Sequence, residues 1–140
     1  MLGLVEEKDS NLISQDDRFK IYGLQNESQI KEVIDCCDIG LSCLALDRKG
    51  MTDACPLKVR EYLAYGLPVY MGHTDSAFPD KFKYIYRGGV DINEILSFAR
   101  RARSFLAEEV KEASRVYISK DQLLLNLHKQ LYAALFADHH

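Results

Sequence analysis

The chain has 140 residues, 47% of them hydrophobic and 28% charged, with a formal net charge of −3 and an isoelectric point near 5.8. That length holds one domain with a real core and excludes a second full one, while the acidic balance argues against the basic footprint of a nucleic-acid-binding domain, so no nucleic acid is expected as a partner. No apolar run is long enough to span a bilayer and the start carries no secretory signal pattern, which makes the cytoplasm the expected compartment.

In chain order, Met1–Val5 reads as a short strand, and the polar stretch that follows holds at most a brief helix around Asn11–Asp16. Phe19–Gly23 alternates and ends in glycine, the pattern of a strand running into a loop. Asn26 and Gln29 stand at capping-box spacing and open a helix whose apolar positions are Ile30, Val33, Ile34 and Cys37. Ile39–Leu46 is a nearly continuous apolar run, as expected of a strand buried on both faces of a parallel sheet. Pro56 suits a first helical position and Gly66 a left-handed stop, so a helix is expected over about Pro56–Tyr65. Leu67–Met71 is the next strand, and Gly72–Ser76 the loop at its carboxyl end. His73 and Asp75 in that loop invite a catalytic reading, against which a lone loop histidine is ordinarily solvated.

Lys83–Tyr86 reads as an edge strand closed by Arg87, Gly88 and Gly89. Asp91 and Glu94 box a helix with Ile92, Ile95, Leu96 and Ala99 inward, and Arg100, Arg101 and Arg103 beyond it read as a solvated face more readily than as a surface for an anionic partner or a membrane. A last helix starts near Ser119, boxed with Gln122, with Leu124, Leu127, Leu131 and Leu135 on one stripe; His139 and His140 are native or a tag remnant. Four cysteines, Cys36, Cys37, Cys43 and Cys55, lack the Cys-x-x-Cys spacing of zinc or redox sites and are expected to be reduced packing residues.

The stretch from Asp47 to Gly72 organises the rest. The charged loop leaves the carboxyl end of one strand and enters a helix whose amino end faces back to the loop. Free N–H groups, the positive end of the helix dipole, Arg48, Lys49 and Lys58 are thereby expected to converge, which is how a doubly wound fold holds a phosphate. Asp53 lies just before the helix and Glu61 eight positions later. A carboxylate so placed suits bidentate hydrogen bonding to a ribose diol. The alternative is that Asp53 caps the helix, Glu61 pairs with Lys58 or Arg60, and the charges form a solvated face.

Residues 44–69, LALDRKGMTDACPLKVREYLAYGLPV, resemble the donor-binding segment of group 1 glycosyltransferases of the GT-B fold, particularly bacterial enzymes that build capsular or other surface polysaccharides. The likeness extends from about Phe19 to Gly72, with Tyr22-Gly23-Leu24 similar to the loop where family members hold the base. It implies an open parallel α/β sheet with helices on both faces, the Rossmann-like carboxyl-terminal half of a GT-B enzyme. It also implies a nucleotide diphosphate sugar as ligand, Glu61 on the ribose, and Asp53, one methylene shorter than the family's glutamate, near the sugar and its phosphate.

Transfer with retention of configuration, without a bound metal or cofactor, is the activity the resemblance implies. Positive groups at a helix amino end suffice to stabilise a departing diphosphate, and no Asp-x-Asp or His-rich metal signature is present. Family members also carry an acceptor-binding amino-terminal domain and a further basic strand and helix. Neither is recognised in this sequence, so the chain is expected to be part of a longer transferase or to need a partner chain, and to bind without turnover by itself. Peripheral membrane association is a further expectation for the full enzyme. A non-catalytic nucleotide-binding or scaffolding module is the alternative of the same fold. A phosphoacceptor signalling domain fits less well, because Asp38 precedes a strand where that chemistry needs an aspartate after one.

Overall fold

The computed structural model describes residues 7–13 and 15–136. The chain divides into two compact units at Cys36 and Cys37. The first contains helices α1 (Glu7–Ile13) and α2 (Glu27–Asp35). In α2 the capping box is complete: the Asn26 side chain accepts from the Gln29 N–H at 3.0 Å, and the Gln29 side chain accepts from the Asn26 N–H at 3.0 Å. Two donors that a helix start leaves orphaned are thus satisfied reciprocally. The expected strand at 19–23 is reduced to a single β-bridge residue, Gly23, whose φ is +67°; Phe19 and Tyr22 are exposed, and the Gln25 amide donates to the carbonyls of Tyr22 and Leu24. The expected strand at Met1–Val5 and the terminal His139 and His140 lie outside the described residues, and α1 ends before the predicted Asn11–Asp16 turn is complete.

The second unit is an α/β arrangement around an open sheet of three parallel strands, β1 (Gly40–Leu41), β2 (Val69–Met71) and β3 (Ile85–Arg87), in the order β1-β2-β3. Gly40 pairs with Val69, Val69 with Ile85, Tyr70 with Tyr86 and Met71 with Arg87. A short 3-10 turn (Leu46–Lys49) and helix α3 (Leu57–Ala64) connect β1 to β2; α4 (Ile92–Ala102), α5 (Ala107–Ile118) and α6 (Lys120–Phe136) follow β3. All three residues of β2 are buried, as the central place of this strand requires.

Side-chain alternation along β2 assigns the helices to faces. Val69 and Met71 join Val59 and Leu63 of α3, Val110 of α5, and Phe78, Tyr84 and Ile85 in one cluster, while Tyr70 turns the other way. Its ring stacks on Tyr86 at 5.3 Å and meets Phe98 of α4 at 6.3 Å. Helices therefore cover both faces of the sheet. Each fully buried Val, Leu or Met in the first cluster stabilises the fold by roughly 1.5–3 kcal/mol.

Several expectations are corrected. The apolar run at Ile39–Leu46 supplies only a two-residue strand, although its backbone stays paired with β2 through the Ser42 N–H to the Tyr70 carbonyl and the Gly72 N–H to the Cys43 carbonyl. As the end of the three-strand order it is not buried on both faces, and Leu41 is 45% exposed. In α4 the inward residues are Phe98 and Ala102, whereas Ile92 and Leu96 face solvent. The leucine stripe of α6 is likewise exposed at Leu124, Leu127 and Leu131; the side chain of Leu135 lies outside the described residues. Helix α5 was not anticipated, yet Val110 and Ser114 make it a core element. Cys36, Cys37 and Cys55 are exposed, so they are not packing residues.

Candidate functional site

Parallel strands send their carboxyl ends to one edge of a sheet, and the loops leaving that edge border the crevice where open α/β folds place ligands. Here the edge carries a cavity of about 510 Å³, within the ordinary size of small-molecule sites. The loop after β1 contributes Leu44, Ala45, Arg48, Met51 and Thr52; the loop after β2, Gly72, His73 and Thr74; the end of β3, Arg87, Gly88, Gly89 and Val90. The first two loops are tied by a parallel backbone bridge between Asp53 and Thr74, with the Ala54 N–H donating to the Thr74 carbonyl and the Thr74 N–H to the Thr52 carbonyl, each at 2.9 Å. Gly72 permits their close approach, since a Cβ there would lie 2.6 Å from the Leu44 carbonyl oxygen.

His73 is buried at 4% exposure, contrary to the expectation of a solvated loop histidine. Its Nδ1 lies 3.2 Å from the Cys43 carbonyl oxygen, and Nε2 has no hydrogen-bond partner within the described protein. Arg87 donates from Nη1 to the Asp80 carbonyl at 2.8 Å, while Nε and Nη2 are buried without partners. The carboxylate of Asp80 is 3.8 Å away and almost wholly exposed. A buried polar group left unpaired costs about 1–3 kcal/mol. Unpaired groups on two residues of one cavity wall therefore mark that wall as a place for a polar ligand.

Of the residues singled out by sequence, Arg48 lines this cavity. Lys49, its neighbour in the same turn, is exposed, and the turn closes at Gly50, whose φ is +68°. Asp53 is exposed on the bridged strand beside Thr74 and does not cap α3, whose N-cap is Pro56 with no side-chain cap bond. Pro56 thus stands one position ahead of its expected place. Gly66 ends the helix with φ +86°, as expected. Lys58 is half-buried in the first turn of α3, at the same carboxyl edge of the sheet. Glu61 is exposed: Val59 and Leu63 point α3 into the core, which turns position 61 to the opposite side. Gly23 belongs to the first unit.

The pairing of Glu61 with Lys58 or Arg60 is not observed among the described residues. Arg60 instead binds Asp75 with both Nη atoms, at 2.8 and 3.2 Å, and lies over the Phe78 ring. The hydrogen bond to Asp75 holds the Arg60 guanidinium above its usual range. Asp75, 1% exposed, also accepts from the Ala77 N–H, so it is a structural clamp and not the catalytic group its sequence position invites. Arg87, read in the sequence only as the close of a strand, was not singled out for the site because it belongs to no local motif. The three-arginine cluster also resolves into structure: Arg103 makes a two-point contact with Asp38, and Arg101 lies over the Tyr86 and Phe98 rings.

Comparisons of the chain with protein-family models, with curated proteins and with solved structures find no match. No group of three or more His, Cys, Asp or Glu side chains suited to a metal ion occurs among the described residues, and none of their helices is long and apolar enough to cross a membrane.

Proposed function

We propose that this chain is the donor-binding, Rossmann-like half of a GT-B glycosyltransferase of surface-polysaccharide synthesis, and that its ligand is a nucleotide diphosphate sugar. The observation that carries this reading is the cavity at the carboxyl edge of a parallel sheet with Arg48 and Arg87 on its wall. Two guanidinium groups at the edge where α3 begins suit the diphosphate, since arginine matches phosphate oxygens with a rigid fork of donors. Electrostatic stabilisation of the departing diphosphate by such groups is the step this half contributes.

Glu61 would accept from the ribose diol. Support for this is that Arg60, its closest cationic competitor in sequence, is committed to Asp75, which leaves the Glu61 carboxylate exposed and without an ion pair among the described residues. Lys49, Lys58 and Asp53 are the remaining contacts of the proposal. Transfer then requires an acceptor-binding domain in addition to this one, and the reaction is retaining and metal-independent.

The test is Glu61→Ala. Loss of a charge-assisted ribose contact worth about 1.5–3 kcal/mol weakens nucleotide binding by at least about tenfold. Stability should change by only a few tenths of a kcal/mol, since the residue is exposed in mid-helix. Unchanged affinity would remove Glu61 from the site.

A further inference from the structure

We propose that His73 and Arg87 form a two-part subsite for an oxyanion that carries or adjoins a hydroxyl group, with Arg87 donating to the charged oxygens and His73 accepting from the O–H. The two residues line one cavity, and each has buried polar atoms without a hydrogen-bond partner among the described residues. Their roles follow from what already holds them. A carbonyl oxygen only accepts, so the contact between His73 Nδ1 and the Cys43 carbonyl places the proton on Nδ1. In the neutral imidazole this leaves Nε2 as a lone-pair acceptor. Arg87 has only donors. Its Nη1 is spent on Asp80, and Nε with Nη2 remain as one edge of the fork, the geometry that meets two oxygens of a phosphate.

The side chain of Arg87 lines the cavity and keeps 22% exposure, while Nε and Nη2 lie just beneath the surface. There is open space at Gly89, where an added Cβ would meet nothing within 4 Å, whereas Gly88 is packed against the Tyr70 hydroxyl. An acceptor beside a pair of donors discriminates among tetrahedral anions. Phosphate retains a P–O–H at neutral pH and satisfies both parts; sulfate has the same shape without a hydrogen and leaves the Nε2 lone pair facing an oxygen lone pair. Identifying the anion as a donor's phosphate, with a sugar hydroxyl supplying the O–H, rests on the function proposed above; the subsite itself does not.

The experiment measures dissociation constants of inorganic phosphate and sulfate for the whole chain and two variants, with melting temperatures as a control for folding. Wild type should bind phosphate at least about tenfold more tightly than sulfate. His73→Asn keeps an amide donor near the Nδ1 position for the Cys43 carbonyl and removes Nε2, so phosphate affinity should fall to that of sulfate while sulfate affinity holds. Arg87→Met should weaken both anions; if it fails to fold, Arg87→Lys, which keeps the charge without the fork, should weaken both to a smaller degree. Equal affinity for the two anions in wild type, binding of neither, or a preference unaffected by His73→Asn would overturn the proposal. A nucleoside diphosphate that binds no better than its nucleoside would defeat the donor reading and leave a phosphate preference standing. Tight nucleotide binding without that preference would do the reverse.

Discussion

The guanidinium of Arg60 on α3 and the carboxylate of Asp75 in the loop after β2 form a two-point ion pair, at 2.8 and 3.2 Å, with Asp75 1% exposed and Arg60 17% exposed. This pair fixes the helix that starts at the carboxyl edge of the sheet to the loop that supplies His73 to the cavity. Removing one partner of a buried pair strands the other charge, so Asp75→Ala should destabilise the fold by about 3 kcal/mol, the lower end of the range for such losses given the residual exposure of Arg60. Denaturant unfolding of Asp75→Ala, Arg60→Met and the double variant should show a positive coupling between the two sites. Additive losses would mean that the pair contributes nothing of its own.

Tyr70 offers a pH-dependent test. Burial, reinforced by its hydrogen bond to Glu94, pushes its phenol up to about 12 from the ordinary 10.0. Because the folded state holds the proton more tightly, its contribution is complete below pH 10 and is lost as pH rises from 10 to 12. Over that window the wild type should lose roughly 2–3 kcal/mol more stability than Tyr70→Phe. Identical alkaline unfolding curves would refute the assignment.

What was legible beforehand and what was not have physical causes. The Asn26 and Gln29 box and the Gly66 stop depend on local geometry and stand in the fold, and the strand expected at Leu67–Met71 forms over Val69–Met71. Burial of a strand depends on its neighbours: the apolar run at Ile39 reads alike for a central and an edge strand, and only the sheet order shows Leu41 uncovered. Helix α5 has Leu106 as its N-cap and no side-chain cap bond, so no start signal announced it, although Val110, Ala113 and Tyr117 recur at helical spacing. At the site, the eight-residue spacing of Asp53 and Glu61 does not fix a common face, because Asp53 precedes the helix and Val59 and Leu63 set its phase. Arg87 joins His73 through the ladder of β2 and β3, a long-range relation with no trace in either local segment.

Gly72 tests the closeness of the two loops that frame the cavity. A methyl group there would lie 2.6–2.9 Å from backbone atoms of Leu44, which cannot rotate aside as a side chain would. Gly72→Ala should cost about 1–3 kcal/mol of stability, as other overpacking does, and should weaken phosphate binding by separating the loops. Full stability in thermal unfolding would show that the backbone yields more easily than this contact implies.

Turnover bears on the division of labour. On the function proposed above, transfer needs an acceptor-binding domain in addition to the donor-binding one, so the purified chain should transfer no sugar to any acceptor pool. Repeated turnover measured with a radiolabelled nucleotide sugar would overturn the claim that a second domain is required.

The central claim, that the cavity edge holds a nucleotide diphosphate, is tested most directly by calorimetric titration of the wild-type chain with a panel of nucleoside diphosphates and their parent nucleosides. Phosphate contacts from Arg48 and Arg87 at about 1.5–3 kcal/mol each predict that one diphosphate binds at least about tenfold more tightly than its nucleoside. Equal affinity for every pair, or heat from neither, would contradict the account.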